Sequence, residues 1–421
     1  MNDGLVIDLF AGGGGASLGV RQALGHEVDI AINHDLKALM IHKMNHPNAT
    51  HVEEDIFRVR LNEYVKNRHV SLMWASPACT EYSRAKGGKP KNDQQRVLPW
   101  AVFQHTKDVR PDVLVMENVQ EIRQWEDYDS FVQSMRGLGY TFECRELVAA
   151  DYGVPTTRKR WYAVLRCDGC KTEWPKQTHA KPGTLESMVL PAWNPVAPCI
   201  DFEDTGQSIF DRNKPLAKAT MRRIAAGIDR FVLGGSPYIV GGNAAFITQF
   251  NNNCVGQAMD EPMRTITCSP GHFGLVTAFL VNIGFGERPT QAPRVRSTDL
   301  PLTTICAGGV KQYLCSAFLV SYYGNSHGAQ NVSEPLPTVT CKDRFGLVTV
   351  QIDGGTYELS DIHLRMLKPE ELKLAQGFPK DYIIDTYWGG KRVPKSDQVA
   401  KIGNSVAPPM AKKLVEANVA A

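Results

Sequence analysis

Several features are scarce in this 421-residue chain, and each scarcity excludes something. No apolar run reaches the roughly 18 residues of a membrane-spanning helix, so no membrane partner is expected. The opening residues, Met1 to Gly13, lack the basic start and small-residue cleavage site of a secretory leader. Ten cysteines are scattered without framework spacing, which fits a reducing cytoplasm rather than a disulfide scaffold. The pair Cys167 and Cys170 has no second pair at zinc-ribbon spacing, so no metal site is expected there. His51-x-Glu53 with that pair loosely echoes a zinc deaminase, but no proline precedes Cys167 and the separation is far too long. Net charge is also small, at +3, so any nucleic-acid contact must rest on local basic patches. A hydrophobic content of 43% and a charged content of 22% describe an ordinary globular protein, long enough for two domains.

What the chain does contain is a series of strand patterns that end in chemically useful residues. Val70 to Ala75 is a short apolar run closed by Ser76-Pro77, which cannot continue a sheet ladder. Ala78 and Cys79 follow, placing a cysteine just beyond a strand's carboxyl end, where open α/β sheets hold their ligands. Leu5 to Leu9 is another strand, followed by Phe10-Ala11-Gly12-Gly13-Gly14-Gly15 and a helix pattern. Glycine there lets the backbone approach a ligand, and a helix start offers free amides. The dinucleotide fingerprint is incomplete, because Ser17 stands where its last glycine would fall, and no lysine follows Gly19 to make a phosphate loop. The turn therefore suits an adenosyl ligand held without a strong phosphate grip.

The next strand ends, after Val28 to Ile32, at Asn33-His34-Asp35, where a polar group could meet a ribose hydroxyl. A third ends near Asp55-Ile56, suited to an adenine amino group. Asp112 to Met116 leads to Glu117-Asn118-Val119, a carboxylate able to protonate or hydrogen-bond a ring nitrogen. Arg158 and Arg160 alternate by two before the strand Trp161 to Arg166 and so share one face. Behind Cys79, a glycine-containing loop carries Arg84, Lys86, Lys89 and Lys91, a candidate phosphate-binding flap.

From about residue 171 the texture turns to proline, glycine and short β-prone runs. Three phrases there resemble one another: Glu261-Pro262-Met263-Arg264-Thr265-Ile266-Thr267, Leu300-Pro301-Leu302-Thr303-Thr304-Ile305-Cys306 and Glu334-Pro335-Leu336-Pro337-Thr338-Val339-Thr340. Each follows an apolar strand pattern, at Phe246, Phe279 and Phe318, so the stretch 246–352 reads as three copies of one β-rich unit. The dissimilar segments between, Asn251 to Asp260, Gly284 to Asp299 and Gly324 to Ser333, carry the Asn, Gln and Arg side chains that read purine edges. A helix is expected to resume at Arg365, with Pro369 near its first turn, and a last one to run from about Pro408 to Ala417.

Taken together, these residues resemble the C5-cytosine DNA methyltransferases over about 4–166 and 363–418. Asp8 to Gly15 is similar to the family's S-adenosylmethionine motif, with Phe10 placed to stack on adenine. Ser76-Pro77-Ala78-Cys79 resembles its nucleophile motif, Glu117-Asn118-Val119 its acid motif and Arg158-x-Arg160 its arginine motif. Arg365-x-Leu367 through Gln376-Gly377-Phe378-Pro379, and Gly403-Asn404-Ser405-Val406, resemble its closing motifs. There are departures: Ala78 replaces a proline, Asn33 a ribose-binding glutamate and Thr156 a glutamine.

The resemblance implies an α/β, Rossmann-like, S-adenosylmethionine-dependent methyltransferase domain with a smaller β-rich target-recognition domain. The expected boundaries are 1–170 for the catalytic domain, 171–360 for target recognition and 361–421 for a segment returning to the catalytic domain. It implies Cys79 as nucleophile, Glu117, Arg158 and Arg160 around a flipped-out cytosine, and no metal. It implies cofactor contacts from Phe10, Ala11, Gly12, Gly13, Gly14, Gly15, Asn33, Asp55, Ile56, Ser76, Pro77, Asn404, Ser405 and Val406. Double-stranded DNA is the expected partner, met by a cytoplasmic monomer of bacterial or phage origin. Whether a cognate restriction endonuclease accompanies it stays open. An RNA cytosine methyltransferase and a catalytically decayed DNA-binding protein are the rival readings. The long middle region argues against the first, and the intact Cys79, Glu117 and Arg160 against the second.

Overall fold

The computed structural model describes residues 4–78, 97–233, 237–250, 255–266, 273–282, 318–323, 326–331, 345–346, 349–352, 355–388 and 390–419. Cys79 and the basic loop carrying Arg84, Lys86, Lys89 and Lys91 lie outside these residues, as does the segment Gly284 to Asp299. The chain divides into two compact units. One comprises Met1–Ile200, Asp260–Pro270 and Lys368–Ala421, the other Asp201–Met259 and Gly271–Leu367.

The first unit is built on a seven-stranded sheet. Its strands are β1 (Leu5–Leu9), β2 (Ile30–Asn33), β3 (Thr50–Glu53), β4 (Val70–Ala75), β5 (Val113–Asn118), β6 (Thr141–Val148) and β7 (Lys159–Arg166), in the order β3-β2-β1-β4-β5-β7-β6. β3, β2, β1, β4 and β5 run parallel, while β7 is antiparallel to both β5 and β6. The strand order reverses between β1 and β4, the switch point at which open α/β sheets form their ligand crevice.

Strand alternation divides the core into two layers. Leu5, Ile7 and Leu9 join Val102, Phe131 and Met135 on one face of the sheet. Val6, Leu72, Trp74 and Val115 join Val20, Met410 and Leu414 on the other. The second face is covered partly by α1 (Gly15–Leu24) and by the last helix, Pro408–Asn418. These two helices approach so closely that a Cβ on Gly19 would lie 2.5 Å from Ala411 Cβ, which makes glycine obligatory there. Among the described residues no helix is long and apolar enough to cross a membrane.

The second unit is β-rich. An antiparallel sheet takes Gly256–Gln257, Asn243–Gln249, Phe273–Asn282, Gly355–Met366 and Thr349–Ile352 in that order. A separate three-stranded sheet pairs Phe318–Tyr323 with Ser326–Asn331 and Phe345–Gly346. Ile224 and Ile228 of the helix Lys218–Ile228 pack with Phe246, Val276 and Leu364 in its core. Arg365 lies in the long strand Gly355–Met366 and does not start a helix, because the pairs Leu275↔Arg365 and Gly274↔Met366 extend the ladder through it. The helix begins instead at Pro369, whose missing N–H costs nothing in a first turn.

Candidate active site

β1, β2 and β4 are buried along nearly their whole length, and the turns that follow the parallel strands yield accessible residues at the carboxyl edge of the sheet. Phe10 and Gly12 after β1, Asn33 at the end of β2, Asp55 after β3 and Ser76 after β4 are all partly or fully exposed. They line one edge of the sheet, on both sides of the switch point.

The glycine turn is tightly specified. Gly12 and Gly14 have φ of 54° and 90°, and Phe10 itself has φ 63°, a left-handed conformation that costs a non-glycine residue energy. Ala11 N–H donates to Ile32 O at 3.0 Å and Gly14 N–H to Ala11 O at 2.9 Å. A Cβ on Gly15 would stand 2.2 Å from Val406 O, so the turn lies directly against the 404–406 loop. Gln376, fully buried, donates to Ser405 O at 2.9 Å and holds that loop from the other side. Two motifs some four hundred residues apart in numbering thus meet at one turn.

Around the turn, several expected contacts are partly committed. Asn33 Oδ1 accepts from Asp35 N–H at 2.8 Å, and Asp35 caps the helix Leu36–Asn45 and pairs with Lys401. Asp55 Oδ1 accepts from Phe57 N–H at 3.0 Å, while its residue remains exposed. Ile56 is buried, and its carbonyl accepts from His105 Nε2 at 2.9 Å. Ser76 N–H donates to Leu9 O at 3.3 Å, and its hydroxyl accepts from Trp74 Nε1 at 2.8 Å. Pro77 O accepts from Asn118 Nδ2 at 3.3 Å, so the end of β5 tethers the loop that leads into Cys79.

Glu117 stands at the same end of β5, 6% exposed. Its Oε1 has no hydrogen-bond partner among the described residues but lies 3.3 Å from Arg160 Nε and 3.7 Å from Arg158 Nη2, at ion-pair distances. Arg160 lies on β7, and Arg158 immediately precedes that strand. The two-residue alternation therefore does bring both guanidinium groups to one carboxylate. Arg158 also donates through Nη1 to Gly403 O at 2.9 Å, in the last turn of the helix Lys395–Asn404. A buried carboxylate faced by two cations can hold a polar ring and keep the neighbouring charge compensated.

Sequence reasoning missed a buried polar chain beneath the glycine turn. Ser17 Oγ donates to Asp8 Oδ2 at 2.6 Å, His42 Nε2 lies 2.9 Å from Ser17 Oγ, and His42 Nδ1 lies 2.8 Å from His51 Nε2. Tyr382 donates to Gly13 O at 2.6 Å and its ring sits beside His46. Burial pushes the Asp8 carboxyl up to about 7 and holds the His42 imidazole well below its usual range, His46 down to about 4. His42 and His46, four apart on one helix, were the available signal, but a satisfied core histidine gives the same spacing.

No group of three or more His, Cys, Asp or Glu able to hold a metal occurs among the described residues. The sheet order, the glycine turn and the buried carboxylate define a Rossmann-like methyltransferase fold. Residues 5–209 match the family described as C-5 cytosine-specific DNA methylase. The chain is 28% identical over 191 residues to the type II methyltransferase M1.HphI of Haemophilus parahaemolyticus, covering 44% of this chain and 51% of that one. It is 27% identical over 291 residues to M.Eco47II of Escherichia coli, covering 63% and 64%. The chain thus spans about half to two thirds of the length of these curated relatives. The fold is that of the S. pombe Dnmt2 methyltransferase, at a TM-score of 0.52 and 14% identity over 97% of this chain and 96% of that one. The Entamoeba histolytica methyltransferase EhMeth is similar at a TM-score of 0.52 and 15% identity, over 99% and 98%.

Proposed function

We propose that the chain is a DNA (cytosine-5-)-methyltransferase that uses S-adenosylmethionine and acts on a cytosine flipped out of a specific duplex sequence. The observation that carries the reading is the buried Glu117 flanked by Arg158 and Arg160, beside the Pro77 loop that leads into Cys79. The family match over residues 5–209 supports it.

The residues present fit the cofactor. The glycine turn, the partly exposed Phe10 and the exposed Asp55 stand at the carboxyl edge of the sheet, where they would hold the adenosyl group, and Asn404, Ser405 and Val406 lie against the turn. When bound, S-adenosylmethionine supplies an activated methyl group at its sulfonium.

The chain's own residues do the rest. Cytosine C5 is a poor nucleophile, and addition of the Cys79 thiolate to C6 makes it enamine-like, dividing one hard step into two. Glu117 accepts from the amino group and delivers a proton to N3, and Arg160 donates to O2, compensating charge as it develops on the ring. After methylation, loss of the C5 proton returns its electron pair to the ring and expels Cys79. A stacked base cannot be reached this way, so the base must leave the helix. Arg84, Lys86, Lys89 and Lys91 contact phosphates in this reading. The expected working unit is a monomer on DNA, and the type II relatives point to a role beside a restriction endonuclease.

Duplex DNA carrying 5-fluorocytosine tests the assignment, because fluorine cannot leave as the proton does. A covalent adduct mapped to Cys79, and lost in Cys79→Ala, is expected. An adduct through any other residue, or one formed only on RNA, would overturn it.

A further inference from the structure

The first copy of the repeated phrase does not sit in the β-rich unit. Asp260–Pro270 belongs to the first unit, and within it Glu261 to Met263 lies alongside the arginine segment. Met263 N–H donates to Pro155 O at 2.8 Å, and Thr157 N–H donates to Met263 O at 2.7 Å. The two bonds bracket Thr156, which pairs with Met263 as an isolated parallel bridge. Val196 N–H donates to Glu261 O at 2.9 Å and fixes the other end of the clip. Thr156 and Met263 are both fully buried, so water does not compete for these bonds.

We propose that Met263 is a positioning residue for the base pocket: its backbone clamps Pro155 to Thr157 and so sets where Arg158 and Arg160 stand around Glu117. Only one peptide separates the clamped Thr157 N–H from Arg158 Cα, so little slack can accumulate before the guanidinium. Arg158 Nη2 lies 3.7 Å from Glu117 Oε1, so a shift in the clip reaches the carboxylate, while Nη1 keeps its anchor on Gly403 O. The chain entering the clip is Asn251 to Asp260, one of the segments expected to read bases. Loosening the clip therefore lowers turnover at the correct site without changing which site is chosen. The inference rests on Glu117 and the arginines forming the base pocket.

Steady-state methylation by the full chain, with Met263→Ala, Met263→Leu and Glu117→Gln, tests it. Met263→Ala keeps the backbone groups of the clip but leaves a cavity under it where the fully buried side chain stood, which lets the segment shift. Misplacing a group that contacts the reacting ring by about 1 Å costs on the order of a hundredfold in rate, so this variant is expected to lower kcat at least tenfold. Affinity for S-adenosylhomocysteine by calorimetry, KM for DNA and the methylated motif should stay as in the wild type, and Met263→Leu should restore kcat. If Met263→Ala does not fold, Met263→Val is judged by the same measurements. An unchanged kcat in the folded variant refutes the inference, and so does a joint loss of kcat and cofactor affinity, which would mark general destabilisation. Glu117→Gln separates the two claims: full activity there refutes the pocket itself, whereas its loss with Met263→Ala active refutes only the clip.

Discussion

Replacing Asp8 with asparagine isolates the charge buried beneath the cofactor turn. Asp8 is 1% exposed, accepts from the Ser17 hydroxyl, and has its carboxyl raised from the usual 3.8 to about 7 by burial. That rise corresponds to about 4 kcal/mol between the protonated and ionised forms. Because the folded value lies above the unfolded one, Asp8's contribution to stability is complete below about pH 4 and is lost as pH rises toward 7. Asparagine does not titrate. Any fixed cost of the substitution, such as burying an amide where Asp8 Oδ1 has no partner, is the same at every pH. Between about pH 5 and about pH 8, Asp8→Asn should therefore gain about 3 kcal/mol relative to the wild type.

The surrounding titrating groups change the absolute curves but not this difference. His42, His46 and His51 are held below their usual values, first by burial, so their contribution is present above about pH 6.5 and lost on acidification. They occur in both proteins and cancel to first order. Tyr382 is pushed up, again chiefly by burial, and stays neutral throughout. Urea unfolding of both proteins across this pH range measures the effect. A stability difference that is flat with pH would show that the Asp8 charge is compensated and that burial does not govern it.

Two further outcomes are expected. Gly15→Ala puts a methyl where Val406 O stands 2.2 Å away, so calorimetry should show cofactor-product affinity falling at least tenfold, and unchanged affinity would mean the cradle lies elsewhere. Replacing Lys86, Lys89 and Lys91 with glutamine should flatten the salt dependence of DNA binding by roughly one unit of slope per lost phosphate contact while the methylated motif survives. A changed motif on sequencing would show that this loop reads bases.

Local patterning carried much of the catalytic unit's outline. β1 and β4 have the bounds their apolar runs imply, because a strand buried on both faces must be continuously apolar and a Ser-Pro or glycine turn must stop it. The spacing of Arg158 and Arg160 was enough to place them on one side. Motif order likewise made Glu117 and the glycine turn readable as a site. Tertiary structure decided what no local pattern encodes. The helix Lys395–Asn404 went unread, and Arg365 was assigned to a helix, because strand pairing to Phe273–Asn282 overrides local propensity at that position. The buried chain from Asp8 through Ser17 and His42 to His51 joins residues from four elements, none of which signals the others in sequence. Met263 is the sharpest case. Its phrase recurs three times and reads as repeat, yet this copy packs on Pro155 to Thr157, since backbone pairing is set by which segments the fold brings together.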